Sequence, residues 1–378
     1  MPPGLTSLHG TWVAAMPVAV ALGVLAVALG VAAVVLRRAA RRRGRRGRWP
    51  WTLWPAATLS LVLGVAIGVN AYAGYLPDVA AVRTWLAGQG IGTSPLEHSG
   101  HAARSDGGGA AGAVTTVALD APAALGVQND PMWVYTPPGY DPAHHRYPVM
   151  YLMHGSPGTP ADWFAGGDAA HTLDALIGAG SIQPLVVVAP DLDGTHDTDT
   201  ECLDSTRGGP QVETYLLHVV VPYVDAHYAT VADRSGRAVG GMSSGGFCAV
   251  DLGLRHQDVF SAIAAIEPYT EPGSGGRSML ATRAQWEQHD ASRYLPTMTF
   301  PDPVHVFVDI PGAARGTISG RESTRLVAML ERAGQDVVSR VEPGQGHTWT
   351  TARLALPYAL ADLVPHLAPG APATPGTP

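Results

Sequence analysis

The chain has 378 residues, 24 basic and 31 acidic side chains, a net charge of −7 and 46% hydrophobic residues. That length holds one large α/β unit of about 250 residues and something more. Eight of the arginines crowd residues 37–48, leaving 16 basic against 31 acidic elsewhere, so the remainder is acidic and unsuited to holding nucleic acid.

In chain order, Trp12 to Leu36 and Trp54 to Leu76 are almost wholly apolar, and each is long enough to cross a bilayer of about 30 Å as a helix. The arginine loop between them (Arg37, Arg38, Arg41 to Arg43, Arg45, Arg46, Arg48) stays cytoplasmic by the positive-inside rule, which sends both flanks outward. A secretory signal would carry positive charge before its apolar stretch, and residues 1–11 hold no Lys or Arg. Residues 77–93 suit a short interfacial helix. Residues 93–113, rich in Gly, Ser, Ala and His, read as a flexible tether, and 369–378 as a disordered tail.

From residue 149 onward the pattern alternates as a parallel sheet requires. Strands are predicted at Val149 to Met153, Leu185 to Ala189, Arg237 to Gly241, Ala262 to Ile266, Val304 to Val308 and Ser339 to Glu342. Helices are predicted at Ala169 to Ile177, Val212 to His227, Gly246 to Arg255 and Glu322 to Ala333. At one strand-to-helix junction stands Gly241-Met242-Ser243-Ser244-Gly245. Small residues there permit a sharp turn that lifts a serine Oγ above the sheet and sets the next amide beside a developing oxyanion.

The pentapeptide alone is a weak signal; its company makes it specific. Upstream runs Met132-Trp133-Val134-Tyr135-Thr136-Pro137-Pro138-Gly139-Tyr140-Asp141, then Tyr147 to Met153 ending in His154-Gly155-Ser156-Pro157-Gly158; downstream lies Gly346-His347-Thr348-Trp349. In this ordered set, over about residues 115–365, the chain resembles the esterase family of α/β-hydrolases that includes S-formylglutathione hydrolase, feruloyl esterases and the antigen 85 mycolyltransferases. The resemblance implies a doubly wound, mostly parallel α/β-hydrolase sheet, here preceded by two transmembrane helices. The domains expected are a hairpin at 1–76 (spans about 12–36 and 54–76), a juxtamembrane segment and linker at 77–114, the esterase domain at 115–367 and a tail at 368–378.

A serine hydroxyl needs a base with a pKa near neutrality. His347 is expected in that role: it follows the last predicted strand in a Gly-bounded loop and completes the order Ser, acid, His. His154 is the competitor, although the family uses that turn to supply an oxyanion amide. The acid departs from the family pattern, whose usual position falls on Ala313 or Ala314. Asp309 at the strand end is the first choice and Glu322 the second, with an absent acid a further alternative. The backbone amides of Ser156 and Ser244 match the family's oxyanion positions.

Residues 267–300 are expected to form an insertion over the site, where such folds place substrate selection. Asp191, Asp193, His196, Asp197, Asp199 and Glu201 read as a polar rim loop in preference to a Ca²⁺ site, since the spacing matches no EF-hand. Cys202 and Cys248 suit a disulfide in an extracytoplasmic domain, with two buried thiols as the alternative. The function expected is a membrane-anchored extracytoplasmic serine esterase that needs no cofactor or metal. Its substrate would be a small-molecule, lipid or sugar ester. The alternatives are an acyltransferase and a weakly catalytic binding or sensory ectodomain.

Overall fold

The computed structural model describes residues 15–43, 51, 53–88, 111–127, 130–193, 198–312 and 318–372. The chain opens with two apolar helices, α1 (Met16–Arg42) and α2 (Leu53–Ala73), both long and apolar enough to cross a membrane. They lie antiparallel on small residues. Ala19, Ala26 and Ala33 recur every seven residues on α1 and meet Ala57, Ser60 and Gly64 on α2, where backbones approach closely enough that a Cβ on Gly64 would stand 3.1 Å from the Ala19 carbonyl. Small-residue seams of this kind suit helix pairs in lipid, which gain by van der Waals packing and not by hiding apolar surface from water. The arginine-rich loop at 44–50 lies outside the described residues. The short helix expected after the hairpin is α3 (Val79–Gly88).

Next come β1 (Ala113–Val117), β2 (Met132–Thr136), β3 (His145–Arg146), β4 (Val149–Met153), α4 (Asp162–Ala165), α5 (Ala169–Gly178) and β5 (Val186–Ala189). A continuous helical stretch follows, made of α6 (Val212–Tyr215), a π-helical turn at Leu216–Val220 and α7 (Val221–His227). The Gly241–Gly245 turn joins β6 (Arg237–Met242) to α8 (Ser244–Arg255), followed by β7 (Ala262–Ile266), α9 (Ser274–Met279), α10 (Arg283–Gln288) and α11 (Ala291–Tyr294). The chain then runs through β8 (His305–Pro311), α12 (Ile318–Arg332), β9 (Asp336–Glu342), α13 (Trp349–Leu363) and β10 (Ala371–Pro372).

The main sheet has the order β1-β2-β5-β4-β6-β7-β8-β9. From β5 to β9 every pairing is parallel, and β1 and β2 join antiparallel at one edge. Its central strands, β4 to β8, are buried on both faces, which is why they read as largely apolar runs such as Val186-Val187-Val188-Ala189. Alternate side chains feed two cores. Tyr151, Val239, Ile263 and Val306 pack with α7, α8 and α12, whereas Met150, Leu152, Ala264 and Phe307 pack with α5 and α13. This is the expected α/β-hydrolase arrangement.

Two expectations need correction. Strands β1 and β2 extend the sheet beyond those foreseen; Thr115-Thr116 and the Pro-flanked Met132 to Thr136 gave a weaker signal than the buried parallel runs. The tail is ordered further than foreseen, because Ala371 and Pro372 pair with Arg146 and His145 and the Gly370 amide donates to Gln183 Oε1 at 2.9 Å. The segment expected as a tether lies, from 93 to 110, outside the described residues. The turn after α2 packs on the catalytic unit, where the Tyr75 hydroxyl donates to the Asp162 carboxylate.

Candidate active site

Ser243 sits between β6 and α8 with φ 59° and ψ −118°, a conformation that costs a non-glycine residue about 1–3 kcal/mol. Its neighbours enforce it. A Cβ on Gly241 would collide with the Gly245 carbonyl, and one on Gly245 with the carbonyls of Met153 and His154, so only glycine lets strand, turn and helix cross this closely. The turn is fixed by two hydrogen bonds: the Ser243 amide donates to Ile266 O at 3.0 Å, and the Phe247 amide donates to Ser243 O at 2.9 Å. Sequence reasoning located this elbow correctly.

His347 lies in the loop between β9 and α13, with Thr351 Oγ1 holding the loop by donation to Gly346 O at 2.6 Å. Its side chain is half exposed, and its Nδ1 pairs with the carboxylate of Glu267, which is fully buried. The hydrogen bond that His347 donates to the Glu267 carboxylate, joined by that residue's charge, raises the imidazole pKa above the ordinary value against the opposing effect of burial. Glu267 itself is raised, chiefly by burial, with His347 pulling it back. It follows β7 immediately, in a left-handed backbone conformation of φ 53°, with its amide donating to Asp309 O at 2.9 Å.

The carboxylate on His347 is therefore not that of Asp309. In the parallel register Ile266 lies beside Asp309, but β7 ends there while β8 runs on to Pro311. Glu267 is thus the first residue beyond its strand, at the level of the loops, whereas Asp309 is still inside the sheet. Asp309 is fully buried, neither carboxyl oxygen has a hydrogen-bond partner among the described residues, and burial, with Glu342 and Glu267 adding and Arg340 opposing, pushes its pKa up to about 8. Glu322 is also displaced from the role: it pairs with the Thr270 hydroxyl and faces Arg325 at 3.9 Å. Residues 313 and 314, at the family's usual acid position, lie outside the described residues. The signal the sequence carries for Glu267 is an acid directly after the buried strand β7, beside the strand that leads into Ser243; residues 267–300 read as an insertion instead.

His154, the other candidate base, is buried with both ring nitrogens engaged: Nδ1 is 2.8 Å from Gly155 O, and Nε2 accepts from the Leu192 amide at 3.1 Å. It braces the turn at the end of β4. That turn brings Gly155 against the nucleophile, since a Cβ there would stand 3.5 Å from Ser243 Cβ. The hydroxyls of Ser156 and Ser244 point to the rim loop, donating to Asp193 at 3.1 Å and Asp199 at 3.2 Å.

The rim loop is tied to α8 by a Cys202–Cys248 disulfide with Cα atoms 5.6 Å apart. Glu201 accepts from Tyr269 Oη at 2.6 Å and is pushed up to about 8, mainly by burial. Asp191 lies 3.4 Å from His154 Nε2. His196 and Asp197 lie outside the described residues. The cavity, about 540 Å³, brings Ser243 and His347 together with Gly155, Ser156, Pro157, Met242, Gly346, Thr348 and Trp349. Its remaining wall is Tyr72 and Ala73. The insertion contributes none of the described lining residues; α9 and α10 pack instead on Leu203 and Phe247.

The sheet order and helix layers are those of an α/β-hydrolase-like fold, with a serine at the sharp turn from β6 to α8. Residues 128–303 match the model of the family described as "Putative esterase", so the resemblance read in the sequence holds over that segment. An uncharacterised protein of Corynebacterium glutamicum is 25% identical over 234 residues, covering 59% of this chain and 54% of its own length. Esterase Rv1288 of Mycobacterium tuberculosis is 31% identical over 132 residues, 35% of this chain and 27% of that protein. The chain thus spans about half or less of the length of these relatives. Among solved structures, a ferulic acid esterase aligns with TM-score 0.58 at 23% identity, covering 68% of this chain and all of the other.

Proposed function

We propose that the protein is a serine ester hydrolase acting through Ser243, His347 and Glu267, anchored by its helical hairpin with the catalytic unit outside the cytoplasm. One observation carries the catalytic reading: a strained, glycine-bounded serine shares a cavity with a histidine whose Nδ1 is held by a buried carboxylate. With Nδ1–H donated to Glu267, Nε2 is the free basic nitrogen. It takes the Ser243 proton as Oγ attacks the ester carbonyl, and the carbonyl electron pair moves onto oxygen. The Ser156 and Ser244 amides are the donors assigned to that oxyanion. Collapse expels the alkoxide, which takes the proton from the imidazolium. Water then repeats the sequence on the acyl-enzyme and frees the acid and Ser243.

The location rests on different observations. Two apolar helices flank an arginine-rich loop, and a disulfide belongs in an oxidising compartment. The test of the catalytic reading is Ser243→Ala. Hydrolysis of p-nitrophenyl esters and labelling by a fluorophosphonate should both disappear while the thermal transition persists, because a triad serine supplies several orders of magnitude in rate. Labelling that survives would assign the chemistry to another residue.

A further inference from the structure

The cavity wall formed by Tyr72 and Ala73 comes from the last two residues of α2, an element of the apolar hairpin. Its position is built, not incidental. Asn70 clamps the turn, with its side chain donating to Leu76 O and accepting from the Leu76 amide, both at 2.8 Å. Tyr75 packs edge-on against Trp349 at 6.0 Å, two residues from His347. Arg353, only 4% exposed, donates to the carbonyls of Tyr75 at 3.4 Å and Gly166 at 2.5 Å. Gly74, at φ 63°, lies so close to Thr350 that a Cβ would collide with its hydroxyl. The hairpin end and the His347 loop are one packed unit.

The 21 residues of α2 rise about 32 Å at 1.5 Å each, which matches a hydrocarbon core of about 30 Å. Trp51 and Trp54 stand at one end, Tyr72 and Tyr75 at the other, the positions at which aromatic side chains settle at both water interfaces. Tyr72 is 83% exposed although it borders the cavity. An α2 that crosses the bilayer therefore sets the mouth of the cavity at the lipid surface, where a chain can reach Ser243 without first entering bulk water.

Resting on the serine-hydrolase reading above, we propose that the substrate is an amphiphilic ester whose long acyl chain stays in the leaflet that α2 leaves and reaches Ser243 along α2, past Tyr72. The test uses the full chain in lipid nanodiscs and three fluorophosphonates: ethyl, hexadecyl, and hexadecyl with a terminal diazirine. The hexadecyl probe should label Ser243 at least tenfold faster than the ethyl probe, and Tyr72→Glu should lower that ratio at least fivefold. Photolysis of the labelled wild-type protein should crosslink to α2 or to lipid, a readout that stands even if the variant misfolds. Equal rates of the two probes, an unchanged ratio in Tyr72→Glu, or crosslinks to α9–α11 would overturn the lipid route and leave the hydrolase reading intact. If no probe labels Ser243, both readings fall.

Discussion

At the scale of single residues, two buried carboxyls stand side by side at the ends of β7 and β8, and their surroundings give them opposite work. Glu267 meets an imidazole, which it can orient and whose charge it can offset; Asp309 meets no donor among the described residues, and burial pushes its pKa up to about 8, which favours the neutral form. Glu267→Gln should accordingly cut kcat by about 10³–10⁴-fold with little change in KM, as expected when the group holding the correct tautomer is lost. Asp309→Asn should leave kcat within a few-fold. Steady-state kinetics on one soluble ester checks both, and the reverse ranking would return the role to Asp309. The pH profile gives an independent reading. Because Glu267 raises the His347 pKa, the active unprotonated base is lost as pH falls through a value above the ordinary imidazole range, so the acid limb of kcat/KM should lie above about 6.5. In Glu267→Gln that limb should move to lower pH.

Asp309 also makes a stability prediction of definite sign. Its folded pKa of about 8 lies above the unfolded value near 3.9, so the folded state binds the proton more tightly. The stabilisation is complete below the unfolded pKa and is lost as pH rises through about 8. Asp309→Asn should remove this dependence, narrowing the drop in Tm between pH 5 and pH 9 relative to wild type. An equal drop in both proteins would mean that Asp309 is ionised in the fold.

Elements were legible where one physical cause dominates. Buried parallel strands must be apolar on both faces, so β4 to β8 announced themselves as runs, and the nucleophile turn announced itself through the glycines that its close crossing requires. The carboxylate that pairs with His347 was illegible for the converse reason. Whether a carboxylate reaches the histidine depends on how far each strand extends before its loop, a difference of two residues between β7 and β8 that composition does not encode. The packing of α2 on the catalytic unit was hidden likewise, since it depends on separated polar groups, Tyr75 with Asp162 and Arg353 with two carbonyls. The pairing of Cys202 with Cys248 can be tested at this scale. The bridge closes 46 residues between the rim loop and α8, so the doubly substituted Cys202→Ser/Cys248→Ser protein should lose about 4 kcal/mol of stability in the chain-entropy model. Denaturant titration measures this, and an unchanged midpoint would show that the bridge constrains nothing the fold does not already fix.

For the whole molecule, catalysis, redox chemistry and topology constrain one another. Eight arginines lie in or beside the turn between the apolar helices, while the rest of the chain is strongly acidic. A cationic turn resists translocation, so if both helices cross a membrane the flanks on the far side include the disulfide and Ser243. A cysteine at Gly44 in a Cys202→Ser/Cys248→Ser background should therefore react with a membrane-impermeant maleimide only after the cells are opened, and one at Ala110 should react in intact cells. Protection of residue 110 in intact cells would put the catalytic unit in a reducing compartment, where a disulfide is not maintained. The hairpin would then deliver Ser243 to the opposite leaflet. The packing of Tyr72 and Tyr75 beside the His347 loop would stay the same, so the orientation of the two helices alone decides which side of the membrane supplies the ester.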